Sequence, residues 1–391
     1  MTRRARGALP VLAAVALLTP VASGQTIGHS DAHPIIWMFS YTGELVENAA
    51  GGARRGATLP GVAGVEVSLP LGALVGWPGA RVFVFALRTH GGAPSGFVGD
   101  MQGVSNLEAP ATVRLEEAWL QQNLFANRLS WLAGRYDLNA EFYRLQSAAL
   151  FINSSFGIGP EFSHSGVGGR GPSIFPNTSL GTRLEYKPSA NVVWRAAALD
   201  GPMLISEVAL LARPDSAGLA RERRFGIGRG LMRSYGAKLA LGAWYYSMRV
   251  SDLSDTTRHR GSGGAYLIGD LTLRSLTAFA QLGLGDGRVN QIGSYVGGGL
   301  TLTAPFPSRA HDMAGLAVAA ARNGSHFERA QTAGIPAAGE ATVELTYLAQ
   351  IGSWLSVQPD AEYVIHPGGT RALRNATVLG LRVAISHCAG C

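Results

Sequence analysis

Arg135, Asp137, Asn139 and Glu141 stand at every second position of the run RYDLNAEF. In an extended chain they share one face, placing a guanidinium, an amide and two carboxylates in a row. Glu117 and Trp119 are spaced in the same way, as are Arg183 and Glu185. Rows of mixed donors and acceptors suit the wall of a polar channel or groove. All but two of the 33 basic residues, Lys187 and Lys238, are arginines, whose charge is fixed at any ordinary pH. Catalysis has no comparable signal. No G-x-S-x-G, H-E-x-x-H or G-x-x-x-x-G-K-[ST] run occurs. Glu116 and Glu117 fall on opposite faces of a strand and cannot flank one bond. His29, Ser30 and Asp31 are adjacent in sequence, whereas a triad is assembled in space. Cys388 and Cys391 make a single CxxC that, even with His387, lacks the ligands zinc requires. The expectation is no enzyme, no metal and no cofactor.

The elements that carry these rows read as strands. In SLGTRLEYKP, 179–188, Leu180, Thr182, Leu184 and Tyr186 share one face against Gly181, Arg183, Glu185 and Lys187. In TVLGLRVAIS, 377–386, Leu379, Leu381, Val383 and Ile385 oppose Gly380 and Arg382. Leu132, Gly134 and Tyr136 likewise oppose Trp131, Ala133 and Arg135. Segments of about ten residues with period two recur from Ile36 onward, separated by Gly, Pro, Asn and Asp turns. The stretches 213–233 and 249–264 read as the most loop-like.

A soluble sandwich would turn the apolar face inward. Here the opposite sense is favoured, apolar side out toward lipid. Aromatics lie near segment ends, as with Tyr136, Tyr186, Tyr347 and Trp354, where interfacial girdles sit. Arg3, Arg4 and Arg6, the apolar run Leu9–Leu18 and Ala22-Ser23-Gly24 read as a secretory signal peptide over 1–24. Three of the charges behind the net +7 therefore belong to that leader. No later stretch has the roughly 18 apolar residues of a spanning helix. Spanning strands must close into a barrel, because lipid satisfies no backbone group. The expected fold is all-β: a transmembrane antiparallel β-barrel of about 16 strands over 36–386. A short segment, 25–35, precedes it and a tail, 387–391, follows it. Dispersed basic residues on an exported chain argue against nucleic-acid binding.

FINSSFGIGPEF, 151–162, is too polar for a core strand and too aromatic for a solvent loop. It suits a loop folded into the barrel, since irregular backbone is allowed at membrane depth where it lines water or is buried in protein.

Several runs resemble the carbohydrate-selective porin family (OprB-like) of Gram-negative outer membranes. They are GDMQGVSNLEAP (99–110), RLEEAWLQQNLF (114–125), LAGRYDLNAEF (132–142), FINSSFGIGPEFSHSG (151–166), GPSIFPNTSLGTRLEY (171–186) and ALDG (198–201). ELTYLAQIGSWLSVQPDAEYVIHPGG (344–369) and VLGLRV (378–383) extend the likeness near the end. The similarity is dense at 99–201 and 340–383 and thin at 202–335. One departure is the last strand, which runs into His387–Cys391 without the terminal aromatic that such barrels carry.

The resemblance implies passive diffusion of monosaccharides and related small carbohydrates, with inward-folded constriction loops narrowing the channel. Porins for polyols or organic acids, and a plugged structural or binding barrel, stay open as alternatives. Arg135, Asp137, Asn139, Glu117, Trp119 and Arg183 are the expected constriction residues, with Asn153 and Phe156 from the inward loop. The implied partners are small carbohydrates, outer-membrane lipid and lipopolysaccharide, and the barrel assembly machinery. Self-association into a homo-oligomer is left open.

Overall fold

The computed structural model describes residues 35–166, 171–212, 235–255, 259–330 and 337–390. The leader at 1–24, nearly all of the segment 25–35, and the loop-like stretch 213–233 lie outside the described residues. Nearly everything described is strand. The first nine are β1 (Ile36–Gly52), β2 (Gly56–Thr58), β3 (Gly61–Pro70), β4 (Ala80–His90), β5 (Thr112–Leu124), β6 (Leu129–Tyr136), β7 (Ser179–Ser189), β8 (Val192–Leu199) and β9 (Met203–Ala212). Eight more follow: β10 (Ala237–Ser251), β11 (His259–Leu273), β12 (Leu276–Gly285), β13 (Ile292–Thr303), β14 (Met313–Asn323), β15 (Gly339–Ile351), β16 (Leu355–Ile365) and β17 (Arg374–Ala389).

Each strand pairs antiparallel with its sequence neighbour, and β1 returns to pair with β17 from Trp37↔Ala389 to Gly52↔Arg374. The short β2 continues the β3 ladder along β1, pairing with Val46–Asn48. The other sixteen strands form a closed barrel. Closure gives every edge a partner, as a strand surrounded by lipid requires. His387, Cys388 and Ala389 are part of this seam, opposite Phe39, Met38 and Trp37. They belong to the last strand and not to a separate tail. The stretch 249–264 is likewise mostly ladder, since β10 runs to Ser251 and β11 begins at His259.

Alternation sorts the side chains. On β10, Leu239, Leu241 and Tyr245 are exposed on the outer wall, while Ala240, Trp244 and Tyr246 are buried inside. The same outward exposure holds for Leu282 and Leu284 on β12, Leu316 and Val318 on β14, and Leu379 and Leu381 on β17. The apolar-out sense holds around the wall.

On β6 the faces are the reverse of those expected from the sequence. Leu132 and Tyr136 point inward and are buried, and Trp131 points out. Tyr136 is therefore not a girdle residue: its hydroxyl donates to Glu141 Oε2 at 2.6 Å inside the barrel. Tyr186 and Trp354 do lie exposed near the strand ends.

The connections alternate between two ends. One end carries short turns such as 125–128, 190–191 and 274–275. The other, the loop end, carries 91–111 and 137–178, and both of these fold into the barrel. The core is consequently inside the barrel, between loop and wall. Phe142, Tyr143, Phe151, Phe156 and Phe162 of the long loop pack on Trp244, Tyr266, Phe279 and Tyr295 of the wall. Phe162 stacks on Trp244 with centroids 4.2 Å apart, and Phe151 sits 5.0 Å from Phe156. Burying one such ring is worth roughly 2–3 kcal/mol. Glycines on the wall make the approach feasible. A Cβ at Gly315 would lie 2.7 Å from the Phe151 ring, and one at Gly283 would collide with the Glu161 carboxylate.

Candidate functional site

The interior is organised by carboxylates on the wall. Glu344 of β15 accepts the backbone N–H groups of Ile152 and Asn153 at 2.7 and 3.0 Å. Four residues earlier on the same face, Glu340 accepts those of Met101 and Gln102 at 2.8 and 3.1 Å, and that of Gly368 at 2.7 Å. Glu44 of β1 accepts from Ser105 Oγ and from Arg382. At Glu340 and Glu344 each such oxygen satisfies a backbone donor that burial would otherwise leave without a partner. Both loops are thus stapled to one side of the wall. They also hold each other, because Ser154 N donates to Gly103 O at 2.8 Å and Asn106 N to Ile152 O at 3.0 Å.

Opposite the β15–β16 staples lies a chain of alternating charges. Arg183 of β7 donates to both oxygens of Glu141, to Ser130 and to Gln121. Glu185 receives Lys187 and Arg195, the latter at 2.6 Å. Glu207 of β9 receives Lys238 at 3.5 Å, Arg195 at 3.6 Å and Tyr266 Oη at 2.8 Å. The buried members of this chain are all paired, as desolvated charges must be. Glu141, Lys187 and Arg195 keep 24%, 28% and 18% of their side chains exposed, toward the lumen. Arg382, with 13% exposed and a 2.7 Å bond to Asn106 Oδ1, faces the same lumen from β17.

The residues singled out from sequence fall into three groups. Glu117, Trp119 and Asp137 meet: Trp119 Nε1 and the Asp137 backbone N–H both donate to Glu117 Oε2, at 3.1 and 3.3 Å. Trp119 points inward and stacks on Phe83 with centroids 4.9 Å apart. Asn139, Asn153 and Phe156 build the loop itself. Asn139 donates to the carbonyls of Phe142 and Gly157. Asn153 caps the turn Ser154–Gly157, donates to Glu362 at 2.8 Å and is fully buried. Arg183 anchors Glu141, as described. Arg135 is the outlier. It sits between Ala118 and Leu180 in the ladder, on the same face as exposed Trp131, and donates to the Thr178 carbonyl. Strand β6 stops at Tyr136, so the alternation that would have aligned Arg135 with Asp137 and Asn139 ends there.

Sequence reasoning missed Glu340, Glu344, Glu362, Glu207, Arg195 and Lys238. Their one visible signal was period: Glu340 and Glu344 share a strand face, as do Asp360 and Glu362 with Gln358. Glu161 was missed too. It sits in the turn Pro160–Ser163, fully buried, with Oε1 accepting from Tyr143 Oη at 3.1 Å and Oε2 unpartnered. Desolvation pushes its carboxyl up to about 8, so it is neutral at pH 7.

A closed sixteen-strand barrel with an apolar outer wall and loops folded into a charged interior defines a porin of the outer-membrane type. The family description "Carbohydrate-selective porin, OprB family" matches residues 54–386. The chain belongs to that family. Among curated proteins, Porin B of Pseudomonas aeruginosa is 27% identical over 125 residues, a match spanning 28% of each chain. The high-pH structure of Pseudomonas putida OprB superposes with a TM-score of 0.78 at 18% identity, covering 90% of this chain and 94% of that one. The outer membrane channel DcaP of Acinetobacter baumannii gives 0.57 at 12% identity, covering 90% and 97%. At such identities the structural likeness speaks for the fold alone.

Proposed function

We propose that this porin admits small neutral carbohydrates, monosaccharides foremost, through the lumen left between the two stapled loops and the wall. One observation carries the reading. The partly exposed groups Glu141, Lys187, Arg195 and Arg382 face the lumen already paired with opposite charge. Paired charges offer donors and acceptors to sugar hydroxyls, while their compensated field gives a bare ion little to gain. Conduction requires weak contacts in series, and this arrangement provides them. Trp119 presents an aromatic face beside Glu117, suited to the apolar face of a pyranose ring. In this reading Arg183, Asn139, Asn153 and Phe156 position the constriction and do not touch solute. Asp137 supports Glu117 from the root of the loop, and Arg135 takes no part.

The aromatic filling between the long loop and β10–β14 favours a second reading, a plugged barrel with a binding role. Liposome swelling with mono-, di- and trisaccharides separates the two. Size-dependent entry, fastest for monosaccharides, supports the channel. No swelling with any sugar refutes it and leaves the plugged barrel.

A further inference from the structure

The charges named above face the lumen in pairs; Arg81 of β4 does not. It shares the inner face of its strand with buried Phe83, Phe85 and Leu87, and it is partly exposed near the turn end. Its side chain makes no hydrogen bond or ion pair among the described residues. Directly opposite it in the ladder stands Gln121 of β5. On β3, β4 and β5 no carboxylate stands on the turn-end side of Glu66 and Glu117.

The neighbours of Arg81 are donors as well. Arg183 Nη2 donates to Gln121 Oε1 at 3.2 Å, and a guanidinium can only donate, so the amide orientation of Gln121 is fixed. Gln121 Nε2 then donates to Asn123 Oδ1 at 2.9 Å, which fixes Asn123 in turn. Both side-chain carbonyls are occupied, and the groups left over are N–H: one on Gln121 and two on Asn123. With the guanidinium of Arg81, this corner of the wall offers donors and no acidic acceptor. Such a set selects an oxyanion, and a guanidinium fork matches two of its oxygens.

The next rung says what carries that oxyanion. Two residues further along the same two strands, Phe83 stands opposite Trp119, and the rings stack with centroids 4.9 Å apart. Two strand residues separate the rungs by about 7 Å. A sugar ring lying on Trp119 therefore brings a group on its edge to Arg81. We infer that Arg81, with Gln121 and Asn123, forms a subsite for the oxyanion of an acidic carbohydrate, a carboxylate or a phosphate ester. This rests on the reading that carbohydrates use the lumen, and it extends that reading from neutral sugars to charged ones.

The test is block of ion current through the full barrel in planar bilayers, with liposome swelling in glucose run beside it. The probes are glucose, glucuronate, glucose phosphate and acetate. Wild type is expected to be half-blocked by either acidic sugar at about one tenth of the glucose concentration, a difference of ~1.4 kcal/mol. R81Q should lose that preference while keeping the half-blocking concentration of glucose, its heat-modifiable gel mobility showing a folded barrel. R81K keeps the charge without the fork and should fall between. R88Q removes the same charge from the exposed outer face of β4 and should keep the preference. A preference for one acidic sugar only assigns the oxyanion as carboxylate or phosphate and supports the subsite. Equal block by glucose and both acidic sugars, or a preference that survives in R81Q, overturns it. Block by acetate as strong as by glucuronate shows a site for any anion and overturns the carbohydrate assignment. Glucose swelling without a preference for either acidic sugar sinks the subsite alone. An Arg81-dependent preference in a barrel that admits no glucose supports the subsite and fails the neutral-sugar reading instead.

Discussion

Arg183 grips Glu141 through two parallel hydrogen bonds, Nε to Oε2 at 2.7 Å and Nη2 to Oε1 at 2.9 Å. One partner belongs to the wall and the other to the root of the long loop, so the pair sets where that loop enters the lumen. Arg183 is nearly buried, and Glu141 keeps one edge toward solute. Removing one member of a desolvated pair costs more than the pair contributes, because the other is left alone.

Arg183→Met is expected to destabilise the barrel by about 3 kcal/mol. Arg183→Lys should fall between the variant and wild type, since an ammonium cannot form the fork. Urea unfolding in lipid vesicles measures the first effect. Noisier single-channel current in both variants would show that the loop root has loosened.

Glu344→Gln leaves one amide oxygen where two carboxyl oxygens accept the Ile152 and Asn153 N–H groups. A buried hydrogen bond of this kind contributes about 0.5–1.5 kcal/mol. The long loop should lift from the wall at Ile152 and Asn153, with faster amide exchange there and a higher mean conductance. Unchanged exchange at 151–156 would mean that the aromatic packing alone holds the loop.

Glu161 makes stability depend on pH. Its folded-state value, about 8, is above the ordinary 4.5, so the folded protein favours the neutral acid. Below pH 4.5 both states are protonated and the group has no effect. As pH rises through that value the unfolded chain ionises first, and stability falls until pH passes 8. At about 1.4 kcal/mol per unit the full loss is on the order of 5 kcal/mol. Glu161→Gln should therefore unfold like wild type at pH 4 and at clearly higher temperature at pH 9. Equal melting at pH 9 would mean the carboxylate finds a partner when it ionises.

Trp119→Ala should leave the barrel assembled, because Trp119 is only half-buried, but should weaken block of ion current by added glucose. A severalfold rise in the half-blocking concentration is expected, in line with the ~0.5–1.5 kcal/mol of an aromatic stacking contact. Unaltered block would place the sugar path away from Glu117 and Trp119.

The wall was legible in the sequence because its rule is purely local. Leu180 and Arg183, or Leu379 and Arg382, reveal their faces through period two, and lipid then dictates closure. The inward loop at 151–162 was legible as well, since Phe151, Asn153 and Phe156 fit neither core strand nor water. What failed was the extension of a local rule past its element. Arg135 and Asp137 look aligned only if the strand continues, and β6 ends between them. The staples were invisible for a different reason. Glu344 meets Ile152 across 192 positions of chain, and a carboxylate bonded to backbone N–H groups leaves no mark on the residues that donate them.

Glu340 and Glu344 stand one above the other on a single strand, one holding each loop, and the loops are bonded to each other between them. The aperture is consequently a fixed mesh and not a pair of doors. Neither loop can swing without dragging the other, so whatever opening they leave keeps one size and shape.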